Sequence, residues 1–324
     1  MRYIVYGVGA VGSVVAAALT AAHQTVVGVA RGERLHALWG DGVVVRWPEG
    51  RRTLRLPAVA QARDLSPGSD DAVLLTVKSQ DTRAALEDLR RAGFDEQPVF
   101  CIQNGVANEA TALRLFPQVH GVNVMLPAQY VSPDETIAWC SPNWGCFDIG
   151  RYPNGSDDHD ARLAADLTAG GIHSQTVTDV MAFKHGKLIL NLANIVEAAL
   201  GPGVAADDLR EILRDEGRRV LDAAGIAWRD VGATDPRRAS MQPGSVEGAT
   251  RTGSSTSQSL ARQVGSIETD YLNGEIALLG RLNAVPTPAN TYATHLAARL
   301  ARQMAQPGSI SVESLRRGLA PQPI

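Results

Sequence analysis

The feature that most constrains this chain is its opening, MRYIVYGVGAVGSVVAAAL, in which three glycines interrupt an apolar run. β-Branched and aromatic residues at 2–6 predict a strand, and the alanine-rich, proline-free stretch 10–22 predicts a helix. The glycines stand between the two with the spacing GxGxxG, as Gly7, Gly9 and Gly12. In this context the spacing is typical of a dinucleotide-binding turn.

Each glycine of such a turn has its own physical role. The first makes the turn, the second lets a pyrophosphate approach the backbone, and the third lets the helix pack against the strand. The phosphates rest on free N–H groups at the start of the helix. We therefore expect cofactor contacts from Gly7, Gly9, Ala10, Val11 and Gly12.

The end of the second predicted strand bears on which dinucleotide binds. An NAD-specific site places Asp or Glu there, roughly 20 residues beyond the glycines, to hold the ribose hydroxyls. Here the strand ends VVGVAR and offers Arg31, whose guanidinium suits a 2′-phosphate and favours NADP(H). The alternative is a solvated Arg31, with Glu33 serving the ribose.

Composition narrows the class of protein. A length of 324 residues suggests two domains, and 44% hydrophobic with 20% charged residues is typical of a soluble globular chain. The net charge of -3 gives no reason to expect nucleic acid or a membrane surface as partner. Cys101, Cys140 and Cys146 lack metal or disulfide spacing, and the opening is too short for a secretory or membrane segment. We expect a cytoplasmic protein with free thiols and no metal.

The order of predicted elements divides the chain in two. Strands alternate with helices up to about residue 178, which predicts right-handed crossovers and a doubly wound parallel sheet. Beyond it strand signals vanish, and helices are predicted at 180–200, 206–224, 257–281 and 289–304. We therefore expect a dinucleotide-binding domain at 1–178 and a helical domain at 179–324. The loop-rich stretch 236–257 is expected to order when substrate binds.

Two polar residues directly follow predicted strands, at the edge where ligands bind in such sheets. Lys78 follows LLTV, and Asn104 follows VFCIQ. Each is either a ligand contact or an ordinary residue at a strand end.

A polar stripe interrupts the apolar segment KHGKLILNLANIVEAAL. Lys187, Asn191 and Asn194 stand at i, i+4 and i+7, so they share one face of a continuous helix. Buried amides and a buried ammonium are costly without partners, so the stripe should line a cavity or meet a ligand. The alternative is hydrogen bonding to neighbouring helices, with Lys187 reaching solvent.

Two later segments hold candidates for binding an acid substrate. GSSTSQSL places Ser254 and Ser255 before a predicted helix, where hydroxyl and N–H groups receive a carboxylate or simply cap the helix. IETDYLNG places Glu268 and Asp270 near a helix start, where the helix dipole favours acids in any case.

The chain resembles the ketopantoate reductase (2-dehydropantoate 2-reductase) family over nearly its whole length, through GVGAVG, Arg31, LLTVKSQ, IQNG, KLILN, GSSTSQSL, IETDYLNG and VPTPAN. The resemblance implies an α/β fold with an N-terminal Rossmann-type doubly wound parallel sheet. An all-helical C-terminal domain, similar to that of 6-phosphogluconate dehydrogenase, would follow. It also implies an oxidoreductase that uses NADPH to reduce ketopantoate to D-pantoate, on the route to pantothenate and coenzyme A.

The resemblance also implies residue roles. Lys187 corresponds to the general acid, Glu268 to a glutamate that holds the lysine or a substrate hydroxyl, and Lys78 to a lysine of the nicotinamide region. Asn104 falls on both the cofactor and the substrate side. Contacts to a small 2-oxo acid substrate are expected from Asn104, Lys187, Asn191, Asn194 and Ser255, and a homodimer is compatible with the helical domain.

The chain departs from the family pattern on the substrate side. Ile195 stands where a second helix asparagine is expected, with Asn194 one residue early, and Ser259 stands where a family member has aspartate. A same-family NADP(H)-dependent reductase of another 2-oxo or 2-hydroxy acid is therefore an alternative. A non-catalytic NADP(H)-sensing regulatory protein is the alternative from another class.

Overall fold

A computed structural model of the chain describes residues 1–320 except 233, 264 and 266. The chain divides into two compact units. The first, here the α/β unit, comprises Met1–Lys184 and Ala233–Thr250, and the second, the helical unit, comprises His185–Gly232 and Arg251–Ile324. This division follows Lys184 rather than residue 178, and it assigns 233–250 to the α/β unit.

The strands of the described residues are β1 (Arg2–Tyr6), β2 (Thr25–Val29), β3 (Val43–Trp47), β4 (Gly50–Leu54), β5 (Ala58–Val59), β6 (Asp71–Leu75), β7 (Val99–Cys101), β8 (Val119–Met125), β9 (Ala128–Ser132), β10 (Glu135–Ala138), β11 (Cys140–Pro142), β12 (Gly145–Arg151), β13 (Ile172–Thr176) and β14 (Met241–Pro243). The main sheet has the order β13-β12-β8-β7-β6-β1-β2-β5. A second sheet, β4-β3-β10-β9, and a β11-β14 pair complete the strand structure of this part of the chain.

The strand order reverses at β1, because β2 pairs with it on one side and β6 on the other, both in parallel. Such a reversal leaves a crevice outside the carboxyl ends of the strands, where ligands bind. The expected doubly wound parallel sheet is confirmed. One pair differs: β12 runs antiparallel to β8, because the connection between them consists of strands and contains no crossover helix.

Apolar side chains cover both faces of the main sheet. Tyr3 and Val5 point into one buried cluster, whereas Ile4 and Tyr6 point into the other, as the two-residue period of a strand requires. Every residue of β6 is buried, which is typical of a parallel strand covered on both faces. This packing fixes the carboxyl ends of β1 and β6.

The helices are α1 (Ala10–Ala21), α2 (Gly32–Trp39), α3 (Thr82–Arg91), α4 (Asn108–Leu113), α5 (Asp158–Ala169), α6 (Val180–Asn191), α7 (Asn194–Leu200), α8 (Asp207–Ala223), α9 (Ser255–Ala261), α10 (Asn273–Leu282), α11 (Pro288–Arg302) and α12 (Val312–Leu319). The expectation of a helical second half is confirmed. Among the residues described, no helix combines the length and apolar character needed to cross a membrane. β14 corrects the expectation that strands end near residue 179.

The single helix expected over 180–200 is wrong, because Leu192 and Ala193 separate α6 from α7. The side-chain amide of Asn273 donates to the carbonyl of Leu192 at 3.1 Å. The N–H of Val196 bonds to Ala193 instead, so the regular helical pattern is interrupted. The helix expected over 257–281 is likewise divided into α9, a 3₁₀ turn and α10.

The three cysteines are buried free thiols, as expected. Burial raises the pKa of Cys146 to about 11 and raises that of Cys101 well above its usual value. At neutral pH these thiols are protonated and therefore poor nucleophiles and metal ligands.

Candidate functional site

The turn that follows β1 is built around Gly7, whose φ of +104° lies in the region that favours glycine. Its N–H donates to the carbonyl of Val29 at 2.9 Å, and its carbonyl accepts from the N–H of Gly9 at 2.7 Å. The Thr76 hydroxyl, just after β6, donates to the same carbonyl at 2.7 Å. The turn is therefore tied to both strands that flank β1.

Gly9 and Gly12 differ in the space around them. A Cβ at Gly12 would lie 2.3 Å from the Gly7 carbonyl oxygen, whereas a Cβ at Gly9 would have no heavy atom within 4 Å. Gly12 is thus required for packing, and Gly9 leaves open space beside the backbone. This is the division of roles expected for a turn that cradles a pyrophosphate.

The start of α1 suits an anion. Gly9 occupies the N-cap without a side-chain cap, and the first turn contains no acidic residue. The N–H groups of Ala10, Val11 and Gly12 stand at the positive end of the helix dipole. The residues present therefore fit the diphosphate of a dinucleotide.

Arg31 is exposed at the N-cap of α2 and borders a cavity of about 420 Å³. Glu33, the alternative ribose ligand, is exposed in the first turn of α2 and does not line this cavity. The lining residues are Arg31, Gly32, Leu35, Ala60, Gln61, Ala84, Asp88 and Arg91. Arg91 was missed by sequence reasoning, because only the packing of α3 brings it to the cavity of Arg31.

Asp88 is the carboxylate that lines this cavity, and buried Tyr6 is hydrogen-bonded to it. The Tyr6 hydroxyl donates to Asp88 Oδ2 at 2.7 Å, and the N–H of Ala62 donates to the same oxygen at 2.9 Å. Burial and the Asp88 carboxylate raise the pKa of Tyr6, and Arg31 opposes this rise. Two guanidinium groups, of Arg31 and Arg91, thus face a cavity whose carboxylate already accepts two hydrogen bonds.

Lys78 and Asn104 lie in the loops after β6 and β7, as predicted, and both are half-buried. Lys78 occupies the N-cap of a 3₁₀ turn at Ser79–Asp81. Gly105, with φ +78°, makes a tight turn directly after Asn104. The structure therefore places both residues at the carboxyl edge that also carries the glycine turn.

Buried polar side chains join these two loops. The Gln103 amide donates to the carbonyl of Val77 and to the Thr82 hydroxyl, both at 2.8 Å. The Asn108 amide donates to the carbonyl of Asn104 at 3.0 Å and, in turn, accepts from the Thr82 hydroxyl at 2.8 Å. We call Gln103, Thr82 and Asn108 the loop brace; sequence reasoning did not predict it.

In the helical unit, the break after α6 changes the predicted polar stripe. Lys187, half-buried, and Asn191, which is buried, lie one turn apart on α6. Asn194 is the first residue of α7, so the argument from a shared helical face holds for Lys187 and Asn191 only.

The start of α9 binds a carboxylate from the chain itself. Ser254 is the N-cap and accepts from the N–H of Ser257, and Ser255 is the first helical residue. The Ser254 N–H donates to Glu197 Oε2 at 2.8 Å. Because the Ser254 N–H already donates to Glu197, it is not available to a substrate carboxylate in the way expected. Sequence reasoning missed Glu197, the single acid in the apolar run NIVEAAL.

The two acids of IETDYLNG have different environments. Glu268 begins a 3₁₀ turn at Glu268–Tyr271 and is buried, whereas Asp270 is exposed. A buried carboxylate needs partners, so Glu268 is the better candidate for a role in binding or catalysis.

Two acids near His120, Asp157 and Asp160, stabilise the start of α5. His120 Nδ1 lies 2.7 Å from Asp160 Oδ1, and oxygens of Asp157 and Asp160 accept the backbone N–H groups of a capping box at α5. Asp157 Oδ1 and Asp160 Oδ2 are therefore committed to the start of α5, and Asp160 Oδ1 is committed to His120.

The strand reversal, the glycine turn and the uncapped start of α1 define the class: a dinucleotide-binding α/β protein with an attached helical unit. The chain matches the sequence profile of ketopantoate reductase PanE/ApbA over residues 3–141 and that of the family's C-terminal domain over residues 179–301. It belongs to the ketopantoate reductase family, a family of oxidoreductases that use a nicotinamide cofactor.

Individual relatives agree with this assignment. The chain is 28% identical to a 2-dehydropantoate 2-reductase of Mesorhizobium japonicum, over 93% of this chain and 98% of that protein. A crystal structure of a PanE/ApbA family ketopantoate reductase from Ralstonia eutropha superposes with a TM-score of 0.77 at 26% identity, covering 94% and 99% of the two chains. The ternary structure of a D-mandelate dehydrogenase with NADH shares the fold, with a TM-score of 0.74 at 19% identity and the same coverage.

Proposed function

We propose that this chain catalyses the NADPH-dependent reduction of ketopantoate to D-pantoate, with Lys187 as the general acid. The observation that carries the proposal is the glycine turn, whose open Gly9 and closely packed Gly12 fit a dinucleotide in a chain of this family. The nicotinamide ring supplies the hydride when the cofactor is bound.

On the cofactor side, the N–H groups at the start of α1 would hold the pyrophosphate. The Arg31 guanidinium would pair with the 2′-phosphate, which supports NADP(H) over NAD(H). Lys78 and Asn104 would contact the cofactor near its nicotinamide end, from the loops after β6 and β7. The loop brace supports this role because it holds those two loops together.

On the substrate side, the Lys187 ammonium would stabilise the developing negative charge on the C2 oxygen and then protonate it. Asn191, one turn further along α6, would orient the substrate carboxylate or hydroxyl together with Ser255. Asn194 would contribute from the start of α7. Buried Glu268 would hold Lys187 or a substrate hydroxyl in place.

A reductase of a different 2-oxo acid is the second candidate. It is favoured by Glu197, whose carboxylate accepts a hydrogen bond from the Ser254 N–H. This N–H lies in a segment where the family's substrate contacts are expected. Ser259 supports it as well: its hydroxyl donates to the carbonyl of Ser255 at 3.0 Å, so it does not reproduce an aspartate.

The remaining expectations stay predictions: a place in pantothenate and coenzyme A biosynthesis, a cytoplasmic location and a homodimer. The test of function is the loss of dihydronicotinamide absorbance with the purified chain, using NADPH or NADH and a panel of 2-oxo acids that includes ketopantoate. Highest kcat/KM with NADPH and ketopantoate would support the proposal. Preference for another acid would favour the second candidate, and saturable NADPH binding without turnover would favour a sensing role.

A further inference from the structure

Lysine is rare in this chain. The sequence contains three lysines, at positions 78, 184 and 187, against 28 arginines. A lysine offers a compact ammonium with three donors, whereas arginine offers a planar fork. Lys78 and Lys187 already belong to the proposed site, and Lys184 has no role in it so far.

Lys184 lies on α6 and its side chain is 2% exposed. Its Nζ is 2.7 Å from Glu109 Oε1, 2.8 Å from the carbonyl oxygen of Gln103 and 3.2 Å from that of Val122. Three acceptors therefore surround an ammonium that has three N–H donors. A planar guanidinium could not reproduce this arrangement, which explains a lysine at this position.

Glu109, the acidic partner, is on α4 with a fully buried side chain. Burying an ion pair costs desolvation of both charges, and a well-packed apolar pair is often as stable or more so. Stability alone therefore gives no reason for Lys184 and Glu109 to be charged. The contacts that the ammonium makes with the backbone give a different reason.

One of the two backbone contacts is to the loop brace, and the other is to Val122 in β8. The first of these carbonyls belongs to Gln103, which directly precedes Asn104 and whose side chain donates to Val77 and Thr82. Lys184 therefore links α6 to the loop that carries Asn104. Through Gln103 it also links α6 to the loop that carries Lys78.

We propose that Lys184 and Glu109 are positioning residues for the reduction: the buried pair holds the Gln103–Asn104 peptide and the first turns of α6 in their reactive arrangement. Lys187 follows Lys184 by three residues in the same helix, so the anchored part of α6 includes the turn directly before it. This inference rests on the proposed function.

The test removes one charge of the Lys184–Glu109 pair or both, so that an effect on stability can be distinguished from an effect on positioning. Lys184→Met and Glu109→Gln each leave a buried unpaired charge, so both lower Tm. The double variant Lys184→Met/Glu109→Leu removes both charges and is expected to regain most of the lost Tm. Its kcat is expected to stay about 10- to 100-fold below that of the unmodified chain, because the loops and α6 lose their common anchor. KM for NADPH should change less than about threefold, because the glycine turn and Arg31 are intact.

The matched control is the Arg2–Asp71 pair, 2.6 Å apart at the amino ends of β1 and β6, opposite the candidate site. Arg2→Met/Asp71→Leu should leave kcat unchanged.

Lys184→Arg retains the charge and provides a folded variant if the double variant does not fold. We expect it to lower kcat about tenfold, because the planar fork misplaces the Gln103 peptide.

A second readout does not require turnover. Amide hydrogen exchange in segments 76–82 and 102–109 should be faster in the Lys184 variants than in the control. Unchanged kcat and unchanged exchange in the double variant, or in Lys184→Arg, would overturn the inference. If the unmodified chain fails to reduce ketopantoate, the proposed function fails, and the exchange experiment still decides whether Lys184 anchors the loops.

Discussion

The glycine turn after β1 and the α6–α7 segment present their candidate ligand groups in different ways. At the turn the candidate groups belong to the backbone, whose shape follows from Gly7 and Gly12 a few residues apart. In α6–α7 the candidate groups are side chains, and whether Asn194 shares a face with Lys187 and Asn191 depends on where α6 ends. That end is stabilised by Asn273, which is 81 residues away from Leu192 along the chain.

The cofactor half and the substrate half of the proposed site are therefore under different physical control. The cofactor half depends on local conformation and close packing, which leave little freedom for change. The substrate half depends on tertiary contacts, and the departures at Ile195 and Ser259, together with Glu197, all fall there. Substrate preference can therefore change while the cofactor turn stays the same.

The largest expected effect comes from the helical half. Lys187→Ala should lower kcat by about 10²- to 10⁴-fold, because it removes the proposed proton donor, and should leave NADPH affinity unchanged. Steady-state kinetics and fluorescence titration with NADPH measure the two quantities. Arg219→Ala removes an exposed cation from α8 and is the control. Equal kcat in both variants would contradict the proposal that a side chain of α6 donates the proton.

The next effect concerns the cavity of Arg31. Arg31→Ala should weaken NADPH binding by about 10- to 100-fold and leave NADH binding nearly unchanged, because a charge-assisted hydrogen bond to the 2′-phosphate is lost. Arg91→Ala should weaken NADPH binding less, since its side chain is mostly exposed. Arg90→Ala, at an exposed neighbouring position that does not line the cavity, is the control. Equal losses for NADPH and NADH would contradict the 2′-phosphate assignment.

Within the turn, two glycine variants should behave differently. Gly9→Ala should keep Tm and lose about tenfold in NADPH affinity, because its methyl group would enter open space that the ligand uses. Gly12→Ala should be destabilised by about 1–3 kcal/mol through its clash with the Gly7 carbonyl. Thermal unfolding and NADPH titration distinguish them. A Gly12→Ala variant with unchanged Tm would show that the turn accommodates a Cβ at position 12.

The smallest effect concerns Glu275 on α10, whose pKa is raised by burial. Burial favours the protonated carboxyl of Glu275 in the folded state. The free energy of unfolding therefore falls as the pH rises through the pKa that Glu275 has in the folded protein. Glu275→Gln should therefore raise Tm at neutral pH, on the order of 1 °C. The gain should vanish below about pH 4.3, where the unfolded glutamate is also protonated. Glu49→Gln, at an exposed position, should show neither change.

The conformation of the glycine turn and the positions of Arg31, Lys78 and Asn104 at strand ends could be predicted, because each signal there is local, whereas their roles in binding stay predictions. A strand, three glycines and a helix determine the turn, and Arg31, Lys78 and Asn104 are identified by strand ends. The break between α6 and α7 could not be predicted, because neither glycine nor proline marks it and the decisive hydrogen bond comes from Asn273. Arg91 and Lys184 were missed for the same reason: the cavity that Arg91 lines and the groups that Lys184 contacts involve elements distant in the sequence.

A single turnover with excess protein, ketopantoate and NADPH deuterated at the transferring position determines whether this chain transfers hydride to its proposed substrate. If the chain is the proposed reductase, dihydronicotinamide absorbance is lost in proportion to the pantoate formed, and the deuterium is found on C2 of pantoate. NADPH that binds in the turn, keeps its absorbance and transfers no deuterium to any 2-oxo acid in the panel would contradict the proposed function.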